Sequence, residues 1–288
     1  MDKTLKAHVE YLLCIRIERV TAVSGGDISK AFLLETDTER FFCKVNSNTA
    51  AFEMFKAEKE GLAAIAATKT IATPKVLLCE TWETGGFLLM DYLEAKPPRP
   101  NDMELFGHQL AALHQLSNSD TFGFPSDNYI GCLPQSNKEH LDWAGFYVEQ
   151  RLRPQLRMAR NAQLLSSKEI PSETELLKIC ETLLPKVEPS LLHGDLWSGN
   201  YLIAQNGTPY LIDPAVCFGH SEMDLAMTRL FGGFNSSFYD AYNEHYPKIG
   251  GKKERCDIYQ LYYLLVHLNL FGASYHRRCK EILQRYFF

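Results

Sequence analysis

Two carboxylates and one amide stand at fixed separations in the second half of the chain. Asp195 and Asn200 are five residues apart, and Asp213 follows Asn200 by thirteen. A carboxylate can orient or deprotonate a hydroxyl, whereas an amide oxygen and a second carboxylate can hold Mg²⁺ on a phosphate chain. These residue types at this spacing indicate the transfer of a phosphoryl group to an alcohol.

The segment between Asn200 and Asp213 predicts a β-hairpin. Short apolar runs at 201–204 and 209–212 flank the turn pair Asn206-Gly207. The two ends of a hairpin meet on one side, so the two metal-ligand candidates should lie together, with the catalytic carboxylate on the loop just before them. Any one of these residues alone is more often a cap or a turn residue, and only the combined pattern favours catalysis.

The first ninety residues predict a small sheet with one main helix. A short amphipathic helix over 2–13 comes first, and a longer helix is predicted over 50–67. Period-two patterns and apolar runs predict five strands, at 14–20, 31–35, 40–45, 76–78 and 87–90. Gly25 and Gly26, between the first two strands, would let backbone N–H groups approach a phosphate, although such a pair is as often a plain turn.

Lys44 lies inside an apolar strand, where an unpaired charge is costly to bury. One interpretation is a lysine that contacts the α- and β-phosphates of a nucleotide, and the alternative is an edge lysine that reaches solvent. The predicted helix that follows carries Glu53, Glu58 and Glu60. We choose Glu58 over Glu60 as the ion-pair partner of Lys44.

A lobe boundary is predicted near residue 92. Met90, Asp91 and Tyr92 end the last strand, where backbone groups could bind adenine, and the proline-rich stretch 95–100 follows as a linker. We therefore assign residues 1–92 to an N-terminal lobe and residues 93–288 to a C-terminal lobe. Beyond residue 101 the pattern is mostly helical, with a long loop at 117–137.

Composition excludes several classes of protein. The 288 residues carry a net charge of −5, which argues against a nucleic-acid binder held by phosphate contacts. We expect no signal peptide, because the first residues lead into no long apolar run, and no run of 18 apolar residues is present in the sequence. Eight cysteines without a CxxC pair predict reduced thiols. We expect a cytoplasmic protein, a monomer, with no membrane or nucleic-acid partner and no zinc site.

The chain resembles the aminoglycoside phosphotransferase and choline kinase superfamily, and more closely the fructosamine kinase (ketosamine 3-kinase) family. The resemblance spans about residues 20–275, and its most specific part is Trp197-Ser198-Gly199 within the catalytic loop. The segments that carry it are 193–200, 213–215, 219–220, 222–227, 122–124, 127–131, 134–135, Trp143 and 150–154.

The element order and the resemblance together predict an α+β, bilobal protein-kinase-like fold. The N-lobe would hold a five-stranded antiparallel sheet with one helix, and the C-lobe would be mainly α-helical. The resemblance implies ATP-dependent phosphorylation of the O3' hydroxyl of a ketosamine, which is a fructosamine or ribulosamine adduct of a free amine or a protein lysine. Spontaneous breakdown of the product then frees the amine, which is a deglycation repair.

The resemblance also implies roles for single residues. Asp195 would be the catalytic base, and Asn200 and Asp213 would bind Mg²⁺. Lys44 and Glu58 would position the phosphates, and residues 90–92 would hold adenine.

Three further positions have open interpretations. Trp197 either lines the sugar-binding site or packs against the loop. Asp224 either binds the substrate amine or braces the catalytic loop. Many relatives carry cysteine in the glycine loop where this chain has Asp27, so a redox switch is not expected.

Two other functions remain possible at the level of sequence. One is another small-molecule kinase of the same fold, for an aminoglycoside, choline or homoserine. The other is a nucleotide-binding pseudokinase. Trp197-Ser198-Gly199 and the Trp143 helix favour the ketosamine kinase over the first, and the intact Lys44, Asp195, Asn200 and Asp213 speak against the second.

Overall fold

A computed structural model of the chain describes residues 1–23, 29–116, 119–246 and 250–288. Gly25, Gly26 and Asp27, which the sequence assigns to a phosphate loop, lie outside the described residues. Within the described ranges, no helix is both long and apolar enough to cross a membrane.

Over residues 1–23 and 29–91, the N-terminal lobe is a five-stranded antiparallel sheet with two helices. Its elements are α1 (Lys3–Leu13), β1 (Arg19–Val23), β2 (Lys30–Glu35), β3 (Arg40–Asn46), α2 (Ala51–Thr68), β4 (Val76–Trp82) and β5 (Gly85–Asp91). The strand order is β1-β2-β3-β5-β4. The predicted five-stranded sheet is confirmed, and α2 packs on β4 and β5.

The first predicted strand was wrong in its position. Residues 14–18 are not part of a strand, although the Glu18 N–H already donates to the Glu35 carbonyl over 2.8 Å, and β1 begins at Arg19. Cys14 ends α1 in a left-handed conformation, and the chain then runs extended with Ile17 buried in the sheet core. An extended segment that buries alternate side chains has the same period as a strand, so the pattern alone cannot separate the two.

The C-terminal lobe is mainly helical, as predicted. Its helices are α3 (Pro100–Leu116), α4 (Trp143–Phe146), α5 (Arg153–Asn161), α6 (Glu173–Leu183), α7 (Glu222–Leu230), α8 (Ser236–His245), α9 (Lys252–Phe271) and α10 (His276–Tyr286). A π-helix, Tyr147–Leu152, joins α4 to α5, and 3-10 turns lie at Ser167–Glu169 and Ala273–Tyr275. The middle of the long α9 is buried from residue 258 to residue 266, and its apolar residues form much of the core of this lobe.

Three small antiparallel ribbons interrupt these helices. Their strands are β6 (Asn128–Ile130), β7 (Leu133–Gln135), β8 (Ser190–Leu192), β9 (Tyr201–Ile203), β10 (Pro209–Leu211) and β11 (Cys217–Gly219), which pair as β6–β7, β8–β11 and β9–β10. The β9–β10 hairpin is the one predicted from the Asn206-Gly207 turn. The β8–β11 ribbon holds the loops at either end of that hairpin, because it joins the segment before residue 193 to the segment after residue 216.

Backbone hydrogen bonds fix the hairpin to the rest of the molecule on both sides. The Leu211 N–H donates to the carbonyl of Ala72, which follows α2, over 2.9 Å. The Lys96 N–H, in the linker after β5, donates to the carbonyl of Ile203 over 2.8 Å. The hairpin therefore touches both the N-terminal lobe and the linker between the lobes.

Candidate active site

The hairpin brings the predicted oxygen-bearing residues to one end. Tyr201 pairs with Leu211 at the open end of the ribbon, and the Ile212 N–H donates to the Asn200 carbonyl over 3.1 Å. Asp213 is the next residue, and it has a positive φ of 53°. A residue other than glycine rarely adopts this left-handed conformation, so the surrounding contacts must hold Asp213 in place.

Asn200 and Asp195 are in direct contact. The Asn200 Nδ2 group donates to the Asp195 carbonyl over 2.8 Å and to Asp195 Oδ2 over 3.1 Å. Because the nitrogen of the amide points at Asp195, the amide oxygen Oδ1 remains as the metal-binding atom of this side chain. The predicted closeness of these two residues is present in the structure.

Asp195 is poised to accept a proton. Burial, and then the charge of Asp213, raise the pKa of Asp195 to about 7, while the hydrogen bond from Asn200 opposes this. A general base works best when its pKa lies near the working pH. The electrostatics therefore suit Asp195 to take a proton from a hydroxyl.

Lys44 reaches from the N-lobe sheet to two carboxylates. Its Nζ lies 2.8 Å from Glu58 Oε1 on α2, and it also contacts Asp213 Oδ1. Of the two acids weighed from the sequence, Glu58 makes this pair, whereas Glu60 accepts a hydrogen bond from the Ser126 hydroxyl over 2.9 Å. The structure thus brings Lys44, Glu58 and Asp213 together across the lobes.

The three charges in this group determine each other's protonation. Burial would lower the pKa of Lys44, but the charges of Asp213 and Glu58 outweigh burial and raise it. Burial raises the pKa of Asp213 as well, yet Lys44 overcomes this and holds that pKa below its usual value. Burial raises the pKa of Glu58. At neutral pH the lysine is therefore charged and Asp213 is a carboxylate.

The close approach of α2 explains how Glu58 reaches the site. Gly61, one turn further along the helix, faces the segment after Asp213, and a Cβ at Gly61 would lie 3.0 Å from Pro214 Cγ. A larger side chain would push the helix away, so glycine at this position lets Glu58 and Asp213 share one lysine.

The donor atoms present fit Mg²⁺. Asn200 offers an amide oxygen and Asp213 a carboxylate, and no group of three or more His, Cys, Asp and Glu side chains in the described ranges could hold a metal ion. Mg²⁺ is usually bound by one or two protein oxygens together with water and substrate phosphates, and it does not need a complete protein cage. Zinc, in contrast, would require nitrogen or sulfur ligands.

Asp224 holds the catalytic loop, and its predicted contact with the substrate is not supported. Its side chain is fully buried, and its two oxygens accept the N–H groups of His193 over 2.7 Å and Gly194 over 2.9 Å. His114 Nε2 lies 3.2 Å from the same carboxylate. Since these groups surround the carboxylate, Asp224 braces the loop, which is the alternative that the sequence left open.

His193 and Gly194 shape the turn before the base. The His193 ring accepts the Asp195 N–H at Nδ1 over 3.2 Å, so its Nε2 donates to the Ile212 carbonyl over 2.8 Å. Burial lowers the pKa of His193, which keeps the ring neutral. Gly194 has a φ of 84°, and a Cβ there would overlap the carbonyl of Ala215.

Trp197 packs the catalytic loop, and its contact with a sugar stays a prediction. Its ring lies over Gly199, where a Cβ would collide with the indole, so it packs the catalytic loop. Its side chain is also 38% exposed, two residues after the base. An indole held by its own loop and open to solvent is available to contact a substrate.

The end of β5 offers fewer free groups than expected for adenine. Met90 is buried and pairs with Phe42, the Asp91 N–H donates to the Lys75 carbonyl, and the Tyr92 N–H donates to the Arg40 carbonyl. Those two N–H groups are used within the sheet. Contacts to a base at this edge would therefore fall to carbonyl oxygens of this segment or to the residue that follows Tyr92.

Two residues that position the loop were not found from the sequence. The Tyr263 hydroxyl on α9 donates to the Gly194 carbonyl over 3.0 Å, and His114 on α3 contacts both Asp224 and, over 2.8 Å, the Tyr242 hydroxyl. Neither residue lies in a local motif. Their partners lie far away in the chain, so no spacing could have revealed them.

A two-lobed fold with a lysine–glutamate pair in its sheet lobe, and Asp, Asn and Asp around a hairpin of its helical lobe, defines a protein-kinase-like phosphotransferase that acts on a hydroxyl group. A sequence model of one family, described as fructosamine kinase, matches residues 2–287. The chain belongs to the fructosamine kinase family.

Individual relatives agree with this assignment. The chain is 42% identical over 276 residues to a "Probable ketoamine kinase" of Lactiplantibacillus plantarum, covering 94% of this chain and 95% of that protein. It is 39% identical over 275 residues to the chloroplastic protein-ribulosamine 3-kinase of Arabidopsis thaliana, covering 94% and 83%.

Solved structures show the same fold. The crystal structure of a "Putative fructosamine-3-kinase" from Haemophilus somnus 129PT matches with a TM-score of 0.87 at 28% identity, over 99% of this chain and 97% of that one. A ternary complex of the aminoglycoside phosphotransferase APH(4)-Ia with ADP and hygromycin B matches with a TM-score of 0.63 at 16% identity, over 98% of both chains. The second likeness concerns the fold alone.

Proposed function

We propose that this chain transfers the γ-phosphoryl group of ATP to the O3' hydroxyl of a ketosamine. The single observation that carries the proposal is the convergence of Asp195, Asn200, Asp213 and Lys44 at one end of the hairpin. Names of relatives support the substrate: one is called a ketoamine kinase and another a protein-ribulosamine 3-kinase. The ADP complex of a protein with the same fold supports a nucleotide as the donor.

In this proposal each side chain has one task. Asp195 accepts the proton of the O3' hydroxyl as the oxygen attacks the γ-phosphorus, and the bond from that phosphorus to the β,γ-bridging oxygen breaks to release ADP. Lys44, oriented by Glu58, binds the α- and β-phosphates. Asn200 Oδ1 and Asp213 hold Mg²⁺, which when bound neutralises charge on the phosphate oxygens.

The setting of the reaction is also part of the proposal. We propose a monomeric enzyme in a reducing compartment, the cytoplasm, with no nucleic-acid partner. All eight cysteines are free thiols in the structure, which supports the compartment, and the net charge of −5 disfavours binding to nucleic-acid phosphates. Residues 90–92 and the start of the linker form the proposed adenine edge.

A substrate screen tests the proposal. ATP consumption at millimolar Mg²⁺ should be measured with fructosyl-lysine and ribulosyl-lysine, with choline and an aminoglycoside as comparison alcohols, and the position of the phosphate should be assigned by ³¹P NMR. We expect turnover of the ketosamines with phosphate on O3'. Asp195→Asn should lower kcat by roughly two orders of magnitude or more. Preferred turnover of choline or the aminoglycoside would contradict the substrate, and full activity of Asp195→Asn would contradict the mechanism.

A further inference from the structure

We propose that an aromatic stripe beside the catalytic loop binds the amine-derived half of the ketosamine, meaning the part beyond its nitrogen, and selects amines with an apolar body. The aromatic stripe consists of Trp197, Phe231, His267, Phe271 and Tyr275. The inference rests on the proposed function, because its ligand is one half of the proposed substrate.

The rings of the stripe form one continuous series. Trp197 and Phe231 meet edge to face with centroids 6.5 Å apart, and Phe231 lies 4.7 Å from the His267 ring. His267 in turn lies 5.5 Å from Phe271 and 5.2 Å from Tyr275. Each ring therefore contacts the next, and the series runs outward from the catalytic loop.

The stripe faces solvent at both ends. Trp197 is 38% exposed, Phe231 39% and Phe271 50%. Single exposed apolar residues are common on protein surfaces, but contiguous aromatic rings beside a catalytic residue mark a binding surface. A ligand that covers these rings would remove apolar surface from water, which is favourable.

Helix α9 places the aromatic stripe next to the loop that carries Asp195. Tyr263, His267 and Phe271 are spaced by four residues on α9 and share one face of that helix. Tyr263 bonds to the Gly194 carbonyl, so this face starts at the catalytic loop and reaches Phe271 about 12 Å further along the helix. Gly272, with a φ of 86°, turns the chain so that Tyr275 returns to the stripe.

A second glycine turn places Phe231 next to Trp197. Gly232 and Gly233 follow Phe231 with φ values of 77° and 91°. A Cβ on Gly233 would overlap the side chain of Ser198, which neighbours Trp197. The Gly233 carbonyl accepts the Tyr201 hydroxyl over 2.9 Å, so the turn is fixed to the hairpin.

The chemistry of a ketosamine matches this position. Its nitrogen is four bonds from O3, along C3, C2 and C1, and bonds of roughly 1.5 Å in a zigzag chain span about 5 Å. With O3 at Asp195, we place the nitrogen on the side of Trp197, whose N–H donates to the Asp195 carbonyl. A secondary ammonium is well placed against an indole face, and the carbon chain beyond it would continue over Phe231 toward Phe271.

The five side chains of the stripe present aromatic faces and hydrocarbon to a ligand, and none of them is a carboxylate. His267 donates its Nδ1–H to the Tyr263 carbonyl over 2.8 Å, and burial lowers the pKa of this ring, so it is neutral at pH 7. The surface therefore suits a lysine stem or an aromatic amine, and it offers little to a short or anionic amine such as glycine.

Three ribulosamines that share one sugar test the inference: the adducts of glycine, of Nα-acetyl-lysine and of phenethylamine. We expect the wild type to show a lower KM for the lysine and phenethylamine adducts than for the glycine adduct. In Phe271→Ala and Phe231→Ala, the ratio of the lysine-adduct KM to the glycine-adduct KM should rise about three- to tenfold, with a smaller change in kcat. Phe271→Leu, which keeps an apolar side chain, should retain most of the selectivity.

Phe288→Ala is the matched control, because it removes another aromatic ring, 68% exposed, that is not part of the stripe. It should leave all three KM values unchanged. An unchanged KM ratio in both stripe variants, while the wild type phosphorylates ketosamines, overturns the inference and leaves the proposed function standing. If the wild type phosphorylates none of the adducts, both the inference and the proposed function are wrong.

Discussion

Lys44 is one ammonium group shared between two carboxylates from different lobes. Glu58 comes from α2, and Asp213 comes from the catalytic hairpin. If Asp213 binds a metal ion, Glu58 is the partner that remains with Lys44. The function of Glu58 is then to keep the lysine aimed at the nucleotide.

Replacement of Glu58 tests this role. Glu58→Gln should raise the KM for ATP and lower kcat, together about tenfold or more in kcat/KM, because a neutral amide is a weaker hydrogen-bond acceptor for the lysine ammonium than a carboxylate. Steady-state kinetics with ATP as the varied substrate measure the effect. Glu60→Gln is the matched control on the same helix, since Glu60 bonds to Ser126 instead, and it should behave as the wild type. Equal effects of the two changes would contradict the pairing.

His220 gives the protein a pH-dependent stability. It is buried, its Nδ1 lies 2.7 Å from the Tyr259 hydroxyl, and burial lowers its pKa to about 4. The unfolded chain takes up a proton near pH 6.5 and the folded chain only near pH 4, so folding stability falls as pH falls between these values. The free energy of unfolding should drop by about 1.4 kcal/mol per pH unit there, about 3 kcal/mol in all.

Urea unfolding at several pH values between 4 and 7 measures this slope. His220→Gln retains a polar group but cannot titrate, so its slope should be smaller by about one proton. Equal slopes for the two proteins would show that His220 does not account for the loss.

At the scale of elements, the sequence predicted best where one local signal dominates. The Asn206-Gly207 turn located the catalytic hairpin, and alternation located β2 and β3. The stretch 14–18, which precedes β1, has the pattern of a strand because Ile17 is buried between exposed neighbours. On α3, Leu105 and Leu116 are 42% and 66% exposed although they are apolar, because the buried face of this helix runs through Phe106, Leu110 and Leu113.

Other parts of the site had no local signal. The β8–β11 ribbon has three residues in each strand, too few for a period to appear. The π-helix Tyr147–Leu152 differs from an α-helix in hydrogen bonding and not in composition. The contact between His114 and Asp224 joins residues 110 positions apart. These features depend on tertiary packing, which a single sequence does not display.

The brace of the catalytic loop can be tested through Asp224. Asp224→Asn keeps the shape but has one oxygen for the two N–H groups of His193 and Gly194, and its NH₂ would face the other donor. We expect a loss of about 1–3 kcal/mol in the free energy of unfolding and a lower kcat. Urea unfolding and kinetics measure the two effects. The exposed Asp240→Asn on α8 is the control; a fully stable and fully active Asp224→Asn would show that the loop does not need this brace.

At the scale of the whole molecule, metal and nucleotide should stabilise the fold together. The Lys44–Asp213 contact joins the two lobes, and a nucleotide between them would add to it. With a non-hydrolysable ATP analogue at about 100 times its Kd, mass action contributes about 2.7 kcal/mol, enough to raise Tm by roughly 5 °C or more.

Thermal melts with Mg²⁺ or with EDTA separate the contribution of the metal. We expect the large rise in Tm only with Mg²⁺ in the wild type. Asp213→Asn should lose most of the difference between the Mg²⁺ and EDTA samples. A metal-independent rise, or an undiminished difference in Asp213→Asn, would contradict the assignment of Asp213 as a metal ligand.

The links from the catalytic hairpin to Ala72 and to Lys96 are made by peptide groups alone. An alanine at Leu211 or Lys96 would keep the N–H group of each link, so its effect would come from the buried Leu211 side chain or from the Lys96–Asp102 ion pair and not from the link itself. Proline at Leu211 would remove the amide hydrogen that donates to the Ala72 carbonyl, and would therefore break the link between the hairpin and the N-terminal lobe. Side-chain substitutions therefore test the packing at these positions and leave untested the peptide hydrogen bonds that align the two halves.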